Sequence, residues 1–178
     1  MTTLVSLRPP VPPPDEESVR PRWFTKRVIP SCTASRGPLL TRYHLIATRA
    51  FGIYVHHLHV SDEDRALHDH PWSFVTVLLS SGYFEWTPTT APRRTSARTD
   101  LRLVGYQVFC RSWYPRFSVL YRPAEWAHRL ELVRPTWTLV FRWRVRRAWG
   151  FFSPRGWLPW RAYGRAYCDD PPVVTETR

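Results

Sequence analysis

Short runs of alternating apolar and polar residues, broken by turn residues, constrain this chain more than any other feature. Residues 136–145 (TWTLVFRWRV) put Trp137, Leu139, Phe141, Trp143 and Val145 on one face and Thr136, Thr138, Val140, Arg142 and Arg144 on the other. That is the period-two pattern of a half-buried strand, and it predicts burial of the aromatic face, Trp137 and Trp143 included. Similar runs rich in Val, Tyr, Phe and Trp span residues 43–47, 52–60, 72–79, 103–109, 117–121 and 128–133, with Gly82, Pro88, Pro92 and Pro115 among the residues separating them. Turn residues at such spacing mark strand ends. No window carries the periodicity of a long amphipathic helix. The chain is therefore expected to be all-β, a sandwich or a closed barrel.

Composition supports a packed core. Of 178 residues, 43% are hydrophobic and 15% aromatic, with 10 Trp, which is too apolar for a disordered chain and suits one domain with tails. The charge is lopsided, 26 Lys+Arg against 14 Asp+Glu, formally +12, and Lys26 is the only lysine. Clustered arginines attract polyanions, but basicity alone identifies no ligand. No run approaches the ~18 apolar residues of a membrane span. The N-terminal MTTLVSLRPPVPPP lacks the apolar run of a secretory signal. Cys32, Cys110 and Cys168 are distant, odd in number and never in C-x-x-C spacing, so reduced thiols in a cytoplasm are expected. Residues 1–21 read as a flexible Pro-rich tail and 168–178 as a fraying C-terminal tail, leaving one domain over 22–167. There is no G-x-G-x-x-G, Walker loop or G-x-S-x-G elbow, so nucleotide and α/β-hydrolase chemistry lack their motifs.

Chemistry concentrates in histidine. Of the 7 histidines, His56, His57, His59, His68 and His70 fall in one short stretch, with His44 and His128 elsewhere. His68 and His70, in Leu67-His-Asp-His-Pro-Trp72, are two apart, which on an extended chain puts both rings on one face. In Arg122-Pro-Ala-Glu-Trp-Ala-His-Arg-Leu-Glu-Leu132, His128 shares a face with Leu130 and Leu132 and so points inward. Imidazoles side by side fill a core poorly but bind a borderline cation well.

His-x-His, an apolar strand closing at Gly82, and Pro123 preceding His128 together resemble the cupin superfamily over residues 56–145. The chain is similar in particular to small cupin-like proteins with His-Asp-His-Pro-Trp (here 68–72), Trp-Gly-Phe (149–151) and Pro-Arg-Gly-Trp (154–157). The resemblance implies a single cupin-like β-barrel (double-stranded β-helix or jelly roll), with irregular Pro-rich tails, and metal ligands His68, His70 and His128. There are departures. Asp62 and Phe117 stand at the motifs' leading glycines, Glu125 at an inner glycine and Leu132 at the terminal asparagine. The metal-binding glutamate position falls on Phe74 or Val75, neither of which can ligate. Three neutral imidazoles still form a facial set for a metal that keeps open positions.

Several residues are candidates for supporting roles. Glu85, beyond the turn at Ser80-Ser81-Gly82, either projects into the barrel or is a solvated strand glutamate. Either His56, or His57 with His59, faces inward; a one-residue slip exchanges the faces, and the similar proteins favour His56. Glu85, His56 or Glu125 would add a ligand or an acid/base, Arg65 or Arg155 would clamp an anion, and Tyr83, Trp126 and Trp157 would line the substrate pocket.

The expected protein is a metal-dependent enzyme for a small, anionic metabolite. Fe(II) is the first choice of metal, with Mn, Ni or Zn as alternatives, and a dioxygenase the first choice of activity. A non-redox isomerase, cyclase or epimerase is the rival within enzymes. Arginines 142, 144, 146, 147, 155, 161 and 165 interleave with tryptophans in the last third, so a ligand- or single-stranded nucleic-acid-binding module is the rival outside them. A homodimer is compatible with all of these readings, and no membrane partner is expected.

Overall fold

The computed structural model describes residues 20–33, 36–62, 66–89, 98–104, 107–154, 156–168 and 175–177. The expected tail over residues 1–19, and candidate residues Arg65 and Arg155, lie outside them. Among the described residues thirteen strands and one helix follow in order: β1 (Arg22–Pro30), β2 (Pro38–Ala47), β3 (Gly52–Leu58), β4 (Phe74–Leu78), β5 (Tyr83–Pro88), β6 (Arg98–Val104), β7 (Gln107–Tyr114), β8 (Val119–Arg122), β9 (Arg129–Leu132), β10 (Thr136–Arg142), β11 (Gly150–Ser153), β12 (Gly156–Pro159), α1 (Trp160–Tyr167) and β13 (Thr175–Thr177). The architecture is all-β, as the alternation requires.

A seven-stranded sheet runs β13-β1-β2-β3-β10-β4-β8, a four-stranded sheet β6-β7-β5-β9, and β11-β12 form a hairpin. Every ladder is antiparallel. The two larger sheets are joined by an apolar cluster of Leu78, Tyr83 and Leu120, against which Leu58, Tyr114, Leu130 and Leu132 pack. The β4–β5 turn works because Gly82 has no Cβ. A side chain there would run into the Tyr114 carbonyl and the Trp113 ring.

β10 has the expected period but the opposite phase. Thr136, Thr138, Val140 and Arg142 are buried, whereas Trp137 (36% exposed), Phe141 (41%) and Trp143 (49%) face outward. The interior needs the polar face. Arg142 donates to the Tyr54 hydroxyl at 2.7 Å and to the Trp143 carbonyl at 3.1 Å, and also binds the Thr48 carbonyl. The rings find partners on the outer surface instead: Trp137 stacks on His57 with centroids 4.2 Å apart, and Tyr121 meets Trp143 edge-on.

Two expectations about the ends of the domain are corrected. Cys32 and Cys168 are not reduced thiols; they form a disulfide across a sequence separation of 136, and Cys110 alone is free. Spacing along the chain could not reveal that the segment after β1 lies beside the end of α1. Nor does all of 168–178 fray: β13 pairs with β1, and Arg22 Nε donates to both Glu176 carboxylate oxygens at 3.1 Å. No helix among the described residues is long and apolar enough to cross a membrane.

In the chain-entropy view a link closing so long a loop stabilises by about 2–5 kcal/mol. Reduction should therefore lower the unfolding free energy from urea titration by that amount, Cys168→Ser should reproduce the loss, and Cys110→Ser should leave the reductant effect unchanged.

Candidate metal centre

Residues 66–70 form an extended segment pinned on both sides. His68 N donates to the His128 carbonyl at 2.8 Å, His128 N donates back to the His68 carbonyl at 3.0 Å, and His70 N donates to Ala124 O at 2.9 Å. On the other flank Phe152 N donates to Leu67 O and Asp69 N to Gly150 O. Pairing of this kind locks the pleat, so the odd and even residues of the segment face opposite ways. His68 and His70 turn toward His128, and Asp69 turns away.

The three rings converge. Ligand-capable nitrogens of His68, His70 and His128 all lie within 4.8 Å of one another, and the Nε2 atoms of His70 and His128 are 2.8 Å apart. Two nitrogens bound to one ion at ~2.0–2.1 Å and roughly at right angles sit about 3 Å apart, so this pair suits a shared cation. Burial, then the neighbouring His128 and His68, hold the His70 pKa well below its usual value, and a neutral ring is the form that ligates.

Glu85 stands behind the centre. It is 1% exposed and its Oε1 accepts from His128 Nδ1 at 2.6 Å, Trp126 Nε1 at 3.0 Å and Arg122 Nε at 2.9 Å, while Oε2 takes the second arm of Arg122. Burial would raise its pKa, but the His128 and Arg122 hydrogen bonds and charges outweigh that and hold it near about 2. With the Nδ1 proton given to the carboxylate, His128 presents Nε2 as an acceptor toward His70. Glu85 thus orients His128 and lies outside the three-histidine group. Its partner Arg122, directly before Pro123, had no sequence signal beyond its place in the second motif.

The remaining candidates separate. His56 is in the cavity, but its Nε2 accepts from Arg42 Nε at 2.9 Å, and it is outside the three-histidine group. Glu125 is exposed on a turn and outside the three-histidine group. Phe74, which with Val75 stands at the expected glutamate position, packs its ring 4.7 Å from that of His70. Tyr83 lines the cavity, and burial pushes its pKa up. Trp126 and Trp157 do not line it. The indole of Trp126 is spent on Glu85 and that of Trp157 on Asp69 Oδ2 at 3.0 Å. Asp69, the residue between the paired histidines, also accepts from Gly150 N and pairs with Arg147 at 2.8 Å. It ties the hairpin to the site, a role the motif phrase alone did not disclose.

The histidines open on a cavity of about 220 Å³ lined also by Arg42, Tyr54, Trp72 and Arg142. His44 lies on its wall with Nδ1 3.0 Å from Thr25 Oγ1. Burial first, and then Arg42, Arg22 and Arg27, lower its pKa to about 3.

No protein-family model and no curated protein matches the chain. Among solved structures it is similar to the DMSP lyase DddQ from Ruegeria pomeroyi DSS-3, at 15% identity and TM-score 0.42, over 74% of this chain and 54% of that one. It is also similar to an uncharacterised conserved protein with a double-stranded β-helix domain from Klebsiella pneumoniae, at 12% identity and TM-score 0.43, over 76% and 91%. A third likeness is to an RmlC-like cupin from Shewanella frigidimarina, at 13% identity and TM-score 0.41, over 75% and 91%. The chain spans about half of the DMSP lyase.

Two outcomes follow from these environments. Glu85→Gln leaves Arg122 buried without its anion and should cost about 3–5 kcal/mol in urea unfolding, whereas Glu131→Gln, in the more open pair with Arg111, should cost under about 1 kcal/mol. His44 binds a proton more weakly folded than unfolded. Its contribution is therefore complete above pH ~6.5 and is lost as pH falls toward about 3. The limiting slope is about 1.4 kcal/mol per pH unit, and denaturation of His44→Gln across that window should lack this proton.

Proposed function

We propose that the chain is a metal-dependent oxygenase, with iron(II) held by His68, His70 and His128, acting on a small anionic metabolite. The observation that carries this reading is the convergence of three imidazoles on one wall of a cavity, two of them with Nε2 atoms 2.8 Å apart. Iron(II) on a neutral three-nitrogen face supplies a redox centre that keeps positions open for O₂ and substrate. A dioxygenation draws all four electrons from the substrate, so it needs no separate reductant.

The protein's own groups hold and position. The Glu85–Arg122 pair fixes the His128 tautomer, backbone pairing at residues 66–70 sets the His68 and His70 rings, and Phe74 packs its ring against that of His70. Of the carboxylate candidates, Glu85 is fully hydrogen-bonded and Glu125 is exposed on a turn. A non-redox isomerisation would therefore draw its acid and base from His56 and Tyr54 on the cavity wall, and Mn, Ni or Zn are the ions to compare.

Protein purified without a histidine tag should retain near-stoichiometric iron, which His68→Ala and His128→Ala abolish while His57→Ala does not. Protein that is metal-free and takes up no added Fe(II), Mn(II), Ni(II) or Zn(II) would defeat the reading. Oxygen uptake during turnover separates it from Lewis-acid chemistry, which consumes none.

A further inference from the structure

The wall of the cavity facing the β2–β3–β10 side is rich in arginine. The described lining residues include Arg22, Arg27, Arg42 and Arg142 but only one carboxylate, Asp62. Arg22 is paired with Glu176. Asp62 accepts from Leu130 N and lies 4.0 Å from His68 Nδ1. Among the described residues neither Arg42 nor Arg142 forms an ion pair.

These two guanidinium groups bracket the same pair of rings. Arg42 lies 5.2 Å from the Tyr54 centroid and 5.9 Å from that of Trp72, and Arg142 has the reverse, 5.9 Å and 5.2 Å. Arg142 is saturated on its inner side by the Thr48 and Trp143 carbonyls and the Tyr54 hydroxyl. Arg42 spends Nε on His56, which leaves its two terminal nitrogens as a fork. Tyr54 accepts from Arg142 through its oxygen and keeps its own O–H proton to donate.

We propose that Arg42 and the Tyr54 hydroxyl form an oxyanion subsite in this cavity, taking a carboxylate or phosphoryl group of the substrate, with Arg142 as the positioning residue. The fork and hydroxyl supply planar, charge-assisted donors of the kind that bind such groups. Trp72, two residues after His70 in the sequence, links the subsite to the three-histidine wall, so a ligand anchored here has its other end free to reach that wall. Burial, with Arg27, Arg22 and Arg142 nearby, draws the Arg42 pKa down to about 10 against the opposing effect of Tyr54. A bound anion relieves that desolvated positive charge. That the anion is a substrate rests on the metal-enzyme reading; the subsite itself does not.

The test is calorimetric titration of the full chain with inorganic phosphate and, separately, malonate, in low-chloride buffer. Wild type and His68→Ala should both bind at least one of the two, and Arg42→Gln should bind at least tenfold more weakly. Arg42→Lys should fall between, since it keeps the charge and loses the fork. Phosphate binding alone assigns a phosphoryl group, malonate binding alone a carboxylate, and either supports the subsite. Tyr54→Phe serves if Arg42→Gln does not fold, and should weaken binding severalfold with the ring retained. No heat from either anion with folded wild type, or equal affinity in folded Arg42→Gln and Tyr54→Phe, overturns the proposal. Anion binding by a wild type that holds no metal and takes up no added Fe(II), Mn(II), Ni(II) or Zn(II) leaves the subsite standing and removes the oxygenase.

Discussion

The centre depends on one buried carboxylate. Glu85 is almost wholly removed from water, and an ion in that position persists only when its neighbours replace the lost solvation. Arg122 neutralises it through both oxygens, and the Trp126 and His128 donors complete its coordination. The arrangement ties three parts of the chain together: β5, the end of β8 and the segment leading into β9. His128 is therefore oriented by a group that the sheet-to-sheet packing already holds, and its free nitrogen is set before any ligand arrives.

The other two histidines are set differently, by backbone. The segment around His68 is a strand in all but length, paired to His128 on one side and to Phe151 on the other. Its alternation sends two imidazoles inward and Asp69 outward to Gly150, Trp157 and Arg147. The phrase His-Asp-His is thus a single mechanical unit. The outer carboxylate fastens the β11–β12 hairpin, and that hairpin carries Phe151, whose ring lies 5.6 Å from that of His68.

Much of this was legible in the sequence because it follows from period. Alternation marked out β3, β4, β8, β9, β10 and the end of β2, and the shared face of His68 and His70, and the paired motif phrases pointed to His128 from far along the chain. Alternation missed β1 and read residues 103–109 as one run where β6 ends and β7 begins. What stayed hidden depends on three-dimensional partners. Glu85 could be read either as solvated or as interior, because one residue cannot announce an arginine 37 positions away. Cys32 and Cys168 looked unrelated for the same reason. Glu125 was drawn in by nearness to His128 in sequence, yet a turn carries it to the surface. Arg42 and His44 share a face of β2, but a strand's sequence does not say what its inner face will meet.

The inverted phase of β10 and the charged cavity have a common origin. Sequence reading assigns the more apolar face to the core, which holds when the core is solid. Here the two sheets enclose a space, and a cavity wall that must present donors inverts the rule. Thr138 and Arg142 then belong inside, and Trp137 and Phe141 pass to the outer face, where neighbouring strands half-cover them. Apolar packing gathers in three clusters: around Leu78 and Leu120, around Cys32, Phe151 and Tyr163, and around Tyr54, Trp72, Phe74 and Val140 on the cavity wall itself. An interior face that spends arginines where aromatic side chains were available sacrifices hydrophobic stabilisation, and a bound anion is the partner that would offset that loss.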